Sequence, residues 1–222
     1  MKAMILAAGR GERLRPLTDK TPKPLIKVAG KSLIEYHLIN LANSGFKEVI
    51  INTAWLAEKI HRQLGDGANY GVSIQYSDEA EALETAGGII NALPLLGENP
   101  FLVVNGDIWS DFDFSTLAGL EHSTQAHLVL VNNPDHNQKG DFALQDSLIK
   151  NSGKPMYTFS GIGIYSASFF AEQQPGPLPL APIIRNKCKN NLISGQYYAG
   201  LWTDVGSIER LQKLEEEILM SS

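Results

Sequence analysis

Short apolar runs alternate with amphipathic segments through the first half of the chain. The runs from Ala3 to Ala8 and from Val49 to Asn52 predict buried strands, and Val72 to Tyr76 alternates as a strand does. Between these runs, apolar residues recur at helical spacing after Ser32 and again from Ala57 to Leu64. This β-α-β-α-β order predicts an α/β, Rossmann-like fold with a mostly parallel sheet and helices on both faces.

Capping and turn signals place the remaining elements. Ser32, with Glu35 three residues later, forms a capping box, and the helix that it begins should end near Gly45. Later strands are predicted at residues 101–104, 126–131 and 158–165, and helices at 115–121, at 180–187 and after Ser207. Ligands of such sheets bind beyond the carboxyl ends of the strands, so the segment after the first strand is the expected ligand site.

The composition limits the classes of function. A chain of 222 residues can bury one sizeable core, so we expect a single domain over residues 1–222. The net charge of −5 and the absence of a basic run argue against a nucleic-acid partner. The one cysteine, Cys188, suits a reducing cytoplasm, and no apolar stretch is long enough to cross a membrane. We expect a cytoplasmic protein that is a monomer or a small homo-oligomer.

Small residues and two glycines follow the first apolar run. Consecutive N–H groups at Ala8, Gly9, Arg10 and Gly11 could form an anion-binding nest, as a phosphate site requires. The segment is not a P-loop, which needs G-x-x-x-x-G-K-[ST], nor a dinucleotide fingerprint, which needs G-x-G-x-x-G opening into a helix. The alternative is a surface loop with scattered basic residues, which a G-x-G alone would favour.

Basic residues and prolines continue the same loop. Arg13, Arg15 and Lys23 bring positive charge to one region of the chain. Pro22 and Pro24 flank Lys23 and predict an extended backbone there, which would aim its ammonium group at one point. The whole string from residue 6 to residue 25 therefore favours phosphate binding over a plain surface loop.

Two further stretches carry unusual residues. Residues 77–90 combine three glutamates with Thr85 and a Gly-Gly pair, which alone would indicate an acidic loop before a helix. Asn105-Gly106-Asp107 follows the apolar strand at 101–104, and alone it would indicate a turn. Because the carboxylate of Asp107 would emerge at a strand end beside a phosphate loop, it is a candidate metal ligand.

Together, these motifs resemble a known enzyme family. L-A-A-G-x-G-x-R, P-x-T, P-K-P, L-x-T-x-G-G, N-G-D, G-D-F and W-x-D-V-G resemble the NDP-sugar pyrophosphorylases, the nucleotidyltransferases that activate sugar 1-phosphates. The resemblance spans nearly the whole chain and implies the nucleotide-diphospho-sugar transferase fold. It implies catalytic roles for Arg13, Lys23 and Asp107, and a Mg²⁺ cofactor held by Asp107 and Asp204. The residues implied for nucleotide binding are Ala8, Gly9, Gly11, Glu12, Arg13, Lys23, Glu79, Thr85, Gly88 and Asn105. Those implied for sugar binding are Asn105, Gly140, Asp141, Ser160, Gly161 and Trp202.

The details of the motifs imply the substrates. S-x-E-x-E-x-L-E-T, K-G-D-F and T-F-S-G-I resemble the uridylyltransferases of the family that act on N-acetylmuramic acid 1-phosphate, which makes UTP and that sugar phosphate the expected substrates. A mannose-1-phosphate guanylyltransferase and a non-catalytic sensor of nucleotide sugars are the alternatives. The family's base-reading side chain falls at Glu79, with Glu81 as the competing candidate. Ala82 and Ala86 replace the proline and glycine that are usual in this loop.

Two chemical expectations follow from these substrates. The nucleophile is a phosphate with a second pKa of about 6, so no general base is needed and none of the five histidines receives a catalytic role. Muramic acid carries a lactyl carboxylate, so its pocket should hold a cation or a polar anion site. Lys139, Lys154 and Arg185 are the candidates for that cation.

Overall fold

A nine-stranded sheet forms the centre of the computed structural model, which describes residues 1–117 and 124–220. The strands are β1 Ala3–Leu6, β2 Lys27–Val28, β3 Lys31–Ser32, β4 Glu48–Thr53, β5 Ser73–Asp78, β6 Phe101–Asn105, β7 Ile108–Ser110, β8 Ala126–Val131, β9 Phe142–Gln145, β10 Leu148–Lys150, β11 Met156–Tyr165, β12 Ile193–Tyr198 and β13 Trp202–Asp204. The helices are α1 Leu17–Lys20, α2 Leu33–Asn43, α3 Ala57–Leu64, α4 Glu84–Leu96, α5 Leu180–Cys188 and α6 Ile208–Met220.

The order of the strands divides the sheet into two parts. It runs β5-β4-β1-β6-β11-β8-β12-β10-β9. The first four strands are parallel, as the β-α-β-α-β pattern predicts. From β11 onward most pairs are antiparallel, and only β8 and β12 are parallel. The sheet as a whole is therefore mixed rather than mostly parallel.

A tight turn explains this departure from the predicted sheet. Only Asp146 and Ser147 separate β9 from β10, and both have positive φ angles of 49° and 60°. A two-residue connection of this kind joins antiparallel neighbours, whereas parallel neighbours need a crossover of a dozen residues or more. The absence of helical segments between β9, β10 and β11 therefore accounts for the antiparallel pairs that β9 forms with β10 and β11.

Helices cover both faces of the sheet, as predicted. Along β1, Ile5 belongs to the apolar cluster that contains Ile34 of α2, whereas Met4 belongs to the cluster that contains Ile89 of α4 and Ile184 of α5. Neighbouring residues of a strand point to opposite faces, so one short apolar run contributes to both clusters. A third cluster forms where Leu214 of α6 packs beside the loop after β1 and the β2–β3 hairpin, with members Leu14, Ile26, Val28, Leu33 and Val205.

The local signals at the helix ends are confirmed. Glu35 Oε2 accepts hydrogen bonds from the Ser32 N–H at 2.7 Å and from the Ser32 hydroxyl at 2.6 Å, and α2 ends at Asn43, two residues before Gly45. Ser207 Oγ accepts a hydrogen bond from the N–H of Arg210 at 3.3 Å and caps α6. These side chains satisfy backbone groups that a helix leaves free at its first turn.

Short 3₁₀ helices occur in several connections. They are Glu12–Leu14, Lys23–Leu25, Ala68–Tyr70, Phe114–Leu117, Asp135–Asn137 and Ala167–Phe170. A helix was expected at 115–121: its beginning is the 3₁₀ turn at Phe114–Leu117, and residues 118–121 lie outside the described part of the chain. Within residues 1–117 and 124–220, no helix combines the length and the apolar character needed to span a membrane.

Candidate active site

The loop after β1 bends where its second glycine lies. Gly11 has a φ of +70°, and a Cβ there would lie 2.9 Å from Thr18 Cγ2 and 3.0 Å from Lys23 Cβ. Only glycine adopts this conformation at such close approach without strain. The Thr18 hydroxyl donates to the Gly11 carbonyl at 2.9 Å and fixes the bend. No hydrogen bond from the N–H groups at residues 8–11 to another described residue is found, so these groups are free to bind an anion.

A cavity of about 370 Å³ opens beside this loop, at the carboxyl ends of β1, β4 and β6. It brings together most of the residues predicted to bind nucleotide or to act in catalysis. These are Ala8, Gly9, Gly11, Glu12, Arg13, Lys23, Thr85, Asn105 and Asp107. The cavity is therefore at the sheet edge where the parallel strand order predicts a ligand site.

Lys23 and Asp107 meet in this cavity. Lys23 Nζ donates to Asp107 Oδ2 at 2.6 Å, and the lysine is only 8% exposed. The prediction of an extended backbone at Lys23 is wrong, because Lys23 begins a 3₁₀ helix in which the Leu25 N–H donates to the Pro22 carbonyl at 2.9 Å. That turn, rather than rigid extension between prolines, directs the ammonium group inward.

The three arginines of the loop differ in their partners. Arg13 lines the cavity and is exposed. Arg15 instead pairs with Asp19 at 2.8 Å, and Arg10 pairs with Glu12 at 2.6 Å while its guanidinium stacks on a tryptophan ring. The charges of Arg10, Arg15 and Lys23 are each compensated by a carboxylate, so a phosphate in the cavity would meet the charge of Arg13 directly and that of Lys23 only if Lys23 leaves Asp107.

A short ribbon holds the two carboxylates expected to bind metal. In the β7–β13 pair, Asp204 lies opposite Ile108, and the Val205 N–H donates to the Asp107 carbonyl at 2.8 Å. Arg210 Nη1 donates to both oxygens of Asp204 at 2.5 Å, and His136 Nε2 lies 3.0 Å from Asp204 Oδ1. Asp107, in the turn before β7, and Asp204, at the end of β13, thus lie near each other along the ribbon, each beside a cationic side chain of its own.

This donor set fits a magnesium ion that shares its ligands with phosphates. Mg²⁺ is usually bound through one or two carboxylates, several waters and the phosphates of the substrate. Asp107 and Asp204 provide the two carboxylates, and no group of three or more acidic, histidine or cysteine side chains suited to a metal is found in the described residues. Asp107 lines the cavity but Asp204 does not, so their joint binding of Mg²⁺ stays a prediction.

Glu79, predicted to read the base, lies behind the cavity wall. It is 7% exposed; its Oε1 accepts from Asn52 Nδ2 at 2.7 Å and its Oε2 from the Leu83 N–H at 2.9 Å. Gly88, also predicted to bind nucleotide, packs against this pair, because a Cβ there would lie 2.7 Å from Glu79 Oε1. Glu81 is exposed and does not line the cavity.

Two wall residues escaped the sequence analysis. Glu84 begins α4 with a φ of +58° and lines the cavity, whereas the other two glutamates of its loop do not. A positive φ is rare for glutamate and marks a strained position. Asn52 also lines the cavity, and its Oδ1 accepts from the Ala7 N–H at 2.8 Å, which joins β4 to the loop. In the sequence, only the position of Asn52 near the end of a buried strand could have indicated that it lies at the cavity.

A second cavity of about 300 Å³ adjoins the first and shares Glu84, Thr85 and Asn105 with it. Asp141, predicted to bind sugar, lines this cavity. Its carboxylate accepts hydrogen bonds from Asn137 Nδ2 at 3.2 Å and from the Phe159 N–H at 2.9 Å. The two cavities thus lie side by side along one shared wall, and together they are called the groove.

The other residues predicted for the sugar support this groove from behind. A Cβ at Gly161 would lie 2.6 Å from Asn105 Nδ2, so this glycine lets the Asn105 side chain fit. Trp202 Nε1 donates to the Ser160 carbonyl at 2.8 Å, and Gly140 packs against the strand β11. Their predicted role as sugar contacts remains a prediction, since none of them lines either cavity.

His37 was assigned no role, yet it lies beneath the Asn105–Asp107 turn. The ring is buried on α2 against the backbone of Asn105 and Ile108, and burial lowers its pKa to about 4 despite the nearby charge of Asp107. The imidazole is therefore neutral at physiological pH and supports the turn from below. Burial also raises the pKa of the Cys188 thiol to about 11, as expected for a structural cysteine.

Comparisons with known proteins agree with this geometry. The sequence model described as Nucleotidyl transferase matches residues 2–143. The N-acetylmuramate alpha-1-phosphate uridylyltransferase of Neisseria meningitidis serogroup B is 54% identical over 97% of each chain. The chain belongs to the sugar-1-phosphate nucleotidyltransferase family. A Caulobacter vibrioides protein of the same name is 33% identical over 92% of this chain and 91% of its own.

Solved structures place the chain in the same fold. A Bacillus anthracis structure described as a glucose-1-phosphate thymidylyltransferase has a TM-score of 0.87 at 25% identity and covers 98% of this chain and 94% of its own. A UDP-glucose pyrophosphorylase complexed with UDP-glucose has a TM-score of 0.79 at 18% identity, over 100% and 99% of the two chains. The nucleotide-diphospho-sugar transferase fold is thus confirmed, and the chain is a nucleotidyltransferase.

Proposed function

We propose that this enzyme transfers a uridylyl group from UTP to N-acetylmuramic acid α-1-phosphate and releases pyrophosphate. The identity of 54% to the Neisseria meningitidis uridylyltransferase, over nearly the whole of both chains, carries this proposal. The groove supports it, because one cavity has a phosphate loop and the adjoining cavity has room for a sugar.

The reaction joins two anionic substrates. An oxygen of the sugar 1-phosphate attacks the α-phosphorus of UTP; a new P–O bond forms, and the bond from the α-phosphorus to the oxygen that bridges it to the β-phosphate breaks. The electron pair leaves with pyrophosphate. Because the attacking phosphate has a second pKa of about 6, it is ionised at neutral pH and needs no general base. The main obstacle is charge repulsion between the two substrates.

The chain supplies cations where that charge develops. Lys23 would exchange its contact with Asp107 for the phosphates, Arg13 would bind the departing pyrophosphate, and the N–H groups of residues 8–11 would surround the triphosphate. Asp107 and Asp204 would hold the Mg²⁺, which neutralises phosphate charge when it is bound. Freed from Lys23, Asp107 could turn to this ion without leaving an unpaired charge behind.

We propose that Glu79 controls recognition of uracil. Each carboxylate oxygen has two lone pairs, so an oxygen that already accepts from Asn52 or Leu83 can also accept from uracil N3–H. The base would have to approach the loop at residues 79–85 closely for this contact. Glu81 is the competing residue in the same loop.

We also propose the biological setting. The nucleotide sugar formed would return muramic acid to peptidoglycan synthesis in the cytoplasm, where UTP is available. A single catalytic domain over residues 1–222, acting as a monomer or small homo-oligomer, fits the sheet that continues from the phosphate end to the sugar end.

Pyrophosphate release by the purified protein tests the function. Each of the four common nucleoside triphosphates is combined with the 1-phosphates of N-acetylmuramic acid, N-acetylglucosamine, glucose and mannose. We expect the highest kcat/KM with UTP and the muramic acid phosphate. Preference for GTP with mannose 1-phosphate would replace the proposal with a guanylyltransferase, and a lack of turnover with every pair would favour a nucleotide-sugar sensor.

A further inference from the structure

The second cavity carries a single basic side chain among its described lining residues. That residue is Arg185, on α5. It lines only the second cavity, whereas the phosphate-binding cations Arg13 and Lys23 line only the first. The groove therefore has two separate regions of positive charge.

Contacts with neighbouring residues orient Arg185. Its Nη1 donates to the Asp141 carbonyl at 3.3 Å, and its guanidinium carbon lies 5.0 Å from the centroid of the Phe142 ring. Asn151 Nδ2 donates to the carbonyl of Arg185 at 2.8 Å and holds this part of the helix. An arginine has five N–H donors in a planar fork, and the bond to Asp141 uses one of them, so the others can bind a carboxylate in two-point fashion.

The other charged groups near this cavity are two carboxylates in its wall, Asp141 and Glu84, and lysines that lie elsewhere. The carboxylate of Asp141 accepts two hydrogen bonds from the protein, and Lys187 on the same helix pairs with Glu172 at 3.2 Å. Glu84, which would repel an anion, lies on the wall shared with the first cavity. Lys139 and Lys154, the other sequence candidates for an anion contact, line neither cavity.

The remaining wall of the second cavity is apolar. It includes Phe142, Phe159, Pro179, Leu180 and Ile184. Arg185 itself is exposed, so a carboxylate bound there would gain a charge-assisted hydrogen bond in contact with water. A neutral sugar would gain nothing from the guanidinium beyond an ordinary hydroxyl contact.

We propose that Arg185 binds the carboxylate of an acidic substituent on the sugar ring, and that it selects muramic acid over N-acetylglucosamine. This inference rests on the proposed function. The two sugars differ by the lactyl ether at O3 of muramic acid, which adds one carboxylate away from the anomeric phosphate. With the phosphate at Lys23, the ring would span the shared wall and present its lactyl group to Arg185.

The test compares two acceptors in matched variants. R185Q and R185K are assayed with UTP and the 1-phosphates of N-acetylmuramic acid and N-acetylglucosamine. We expect R185Q to lower kcat/KM for the muramic acid phosphate about ten- to a hundredfold, mainly through KM, and to change the value for N-acetylglucosamine 1-phosphate less than about threefold. R185K should retain part of the preference, because it keeps the charge without the fork. K189Q, an exposed position just after the same helix, is the matched control, and K139Q and K154Q test the rival cations.

Several outcomes would contradict the inference. An equal fall for both acceptors in R185Q would indicate a structural role, and an unchanged ratio in a variant with wild-type thermal stability would exclude Arg185 as the selective group. A wild-type enzyme that uses both acceptors equally well would contradict the selectivity but leave uridylyl transfer in place. If neither acceptor is turned over with UTP, the proposed function fails. Calorimetric binding of the two sugar phosphates to wild type and R185Q then decides the role of Arg185 separately.

Discussion

The phosphate end and the sugar end of the groove are built in different ways. The phosphate end uses parallel strands and one loop that is continuous in sequence, so its glycines, Arg13 and Lys23 come from about twenty neighbouring residues. The sugar end lies in the antiparallel half and draws Glu84, Asp141, Phe159 and Arg185 from separate segments. We infer that phosphate binding, which every sugar 1-phosphate needs, depends on one continuous segment. The choice of sugar would instead depend on residues that are far apart in sequence and meet through packing.

The largest effect should come from the phosphate end. Lys23→Ala and Asp107→Ala are each expected to lower kcat/KM at least about a hundredfold, because each removes a preorganised charge from the transition state. The loss should be equal for muramic acid and N-acetylglucosamine phosphates, unlike that of R185Q. Lys20→Ala, an exposed neighbour, serves as control. Near-wild-type turnover by a folded Lys23→Ala or Asp107→Ala enzyme would contradict the proposed mechanism.

The base loop between the two ends should respond next. In Glu79→Gln the amide can offer either an acceptor to uracil or a donor to cytosine, so we expect the UTP over CTP preference in kcat/KM to fall roughly ten- to a hundredfold. A uniform loss with both nucleotides at an unchanged ratio would instead show that Glu79 only braces Asn52 and the Leu83 N–H. The same substitution at Glu81 would then be measured.

The buried His37, beneath the phosphate end, should make the stability of the protein depend on pH. Burial lowers the pKa of His37 from 6.5 to about 4. Between pH 4 and pH 6.5, His37 is therefore protonated in the unfolded chain but not in the folded chain. The free energy of unfolding therefore keeps its full value above pH 6.5 and decreases as the pH falls towards 4. The decrease attributable to His37 is about 2 kcal/mol between pH 7 and pH 5. Urea unfolding of wild type and His37→Gln measures this. In His37→Gln, the free energy of unfolding should decrease less between pH 7 and pH 5. An identical decrease in both proteins would show that other groups cause it.

The smallest effect concerns the ribbon that carries the second carboxylate. Asp204→Asn should raise the Mg²⁺ concentration needed for half-maximal activity severalfold, since an amide oxygen is a weaker ligand for a hard cation than a carboxylate. Binding of Mn²⁺ in the presence of UTP, followed by electron paramagnetic resonance, should weaken in parallel. Unaltered Mn²⁺ affinity would mean that Asp204 mainly anchors Arg210.

The sequence predicts the phosphate end better than the sugar end for a physical reason. Capping by Ser32 and the alternation of strands and helices are local properties, and the structure confirms them. Glu84 lies at the site because its φ is strained, and His37 because α2 packs against a turn some seventy residues away. Neither cause produces a periodic pattern in the sequence. The inward direction of Lys23 depends on a 3₁₀ turn, although a residue before proline usually prefers extended backbone.

The ribbon formed by β7 and β13 also bears on how the enzyme is made. The phosphate loop lies within residues 6–25 and Asp204 far later in the chain, so during synthesis the loop can form long before β13 pairs with β7. Until that strand pairs with β7, the chain would have only the first of the two carboxylates that we propose for Mg²⁺. Proteolysis that removed residues 208–222 would leave β13 without the α6 helix that packs beside it, and we expect this loss to weaken the pairing of β13 with β7.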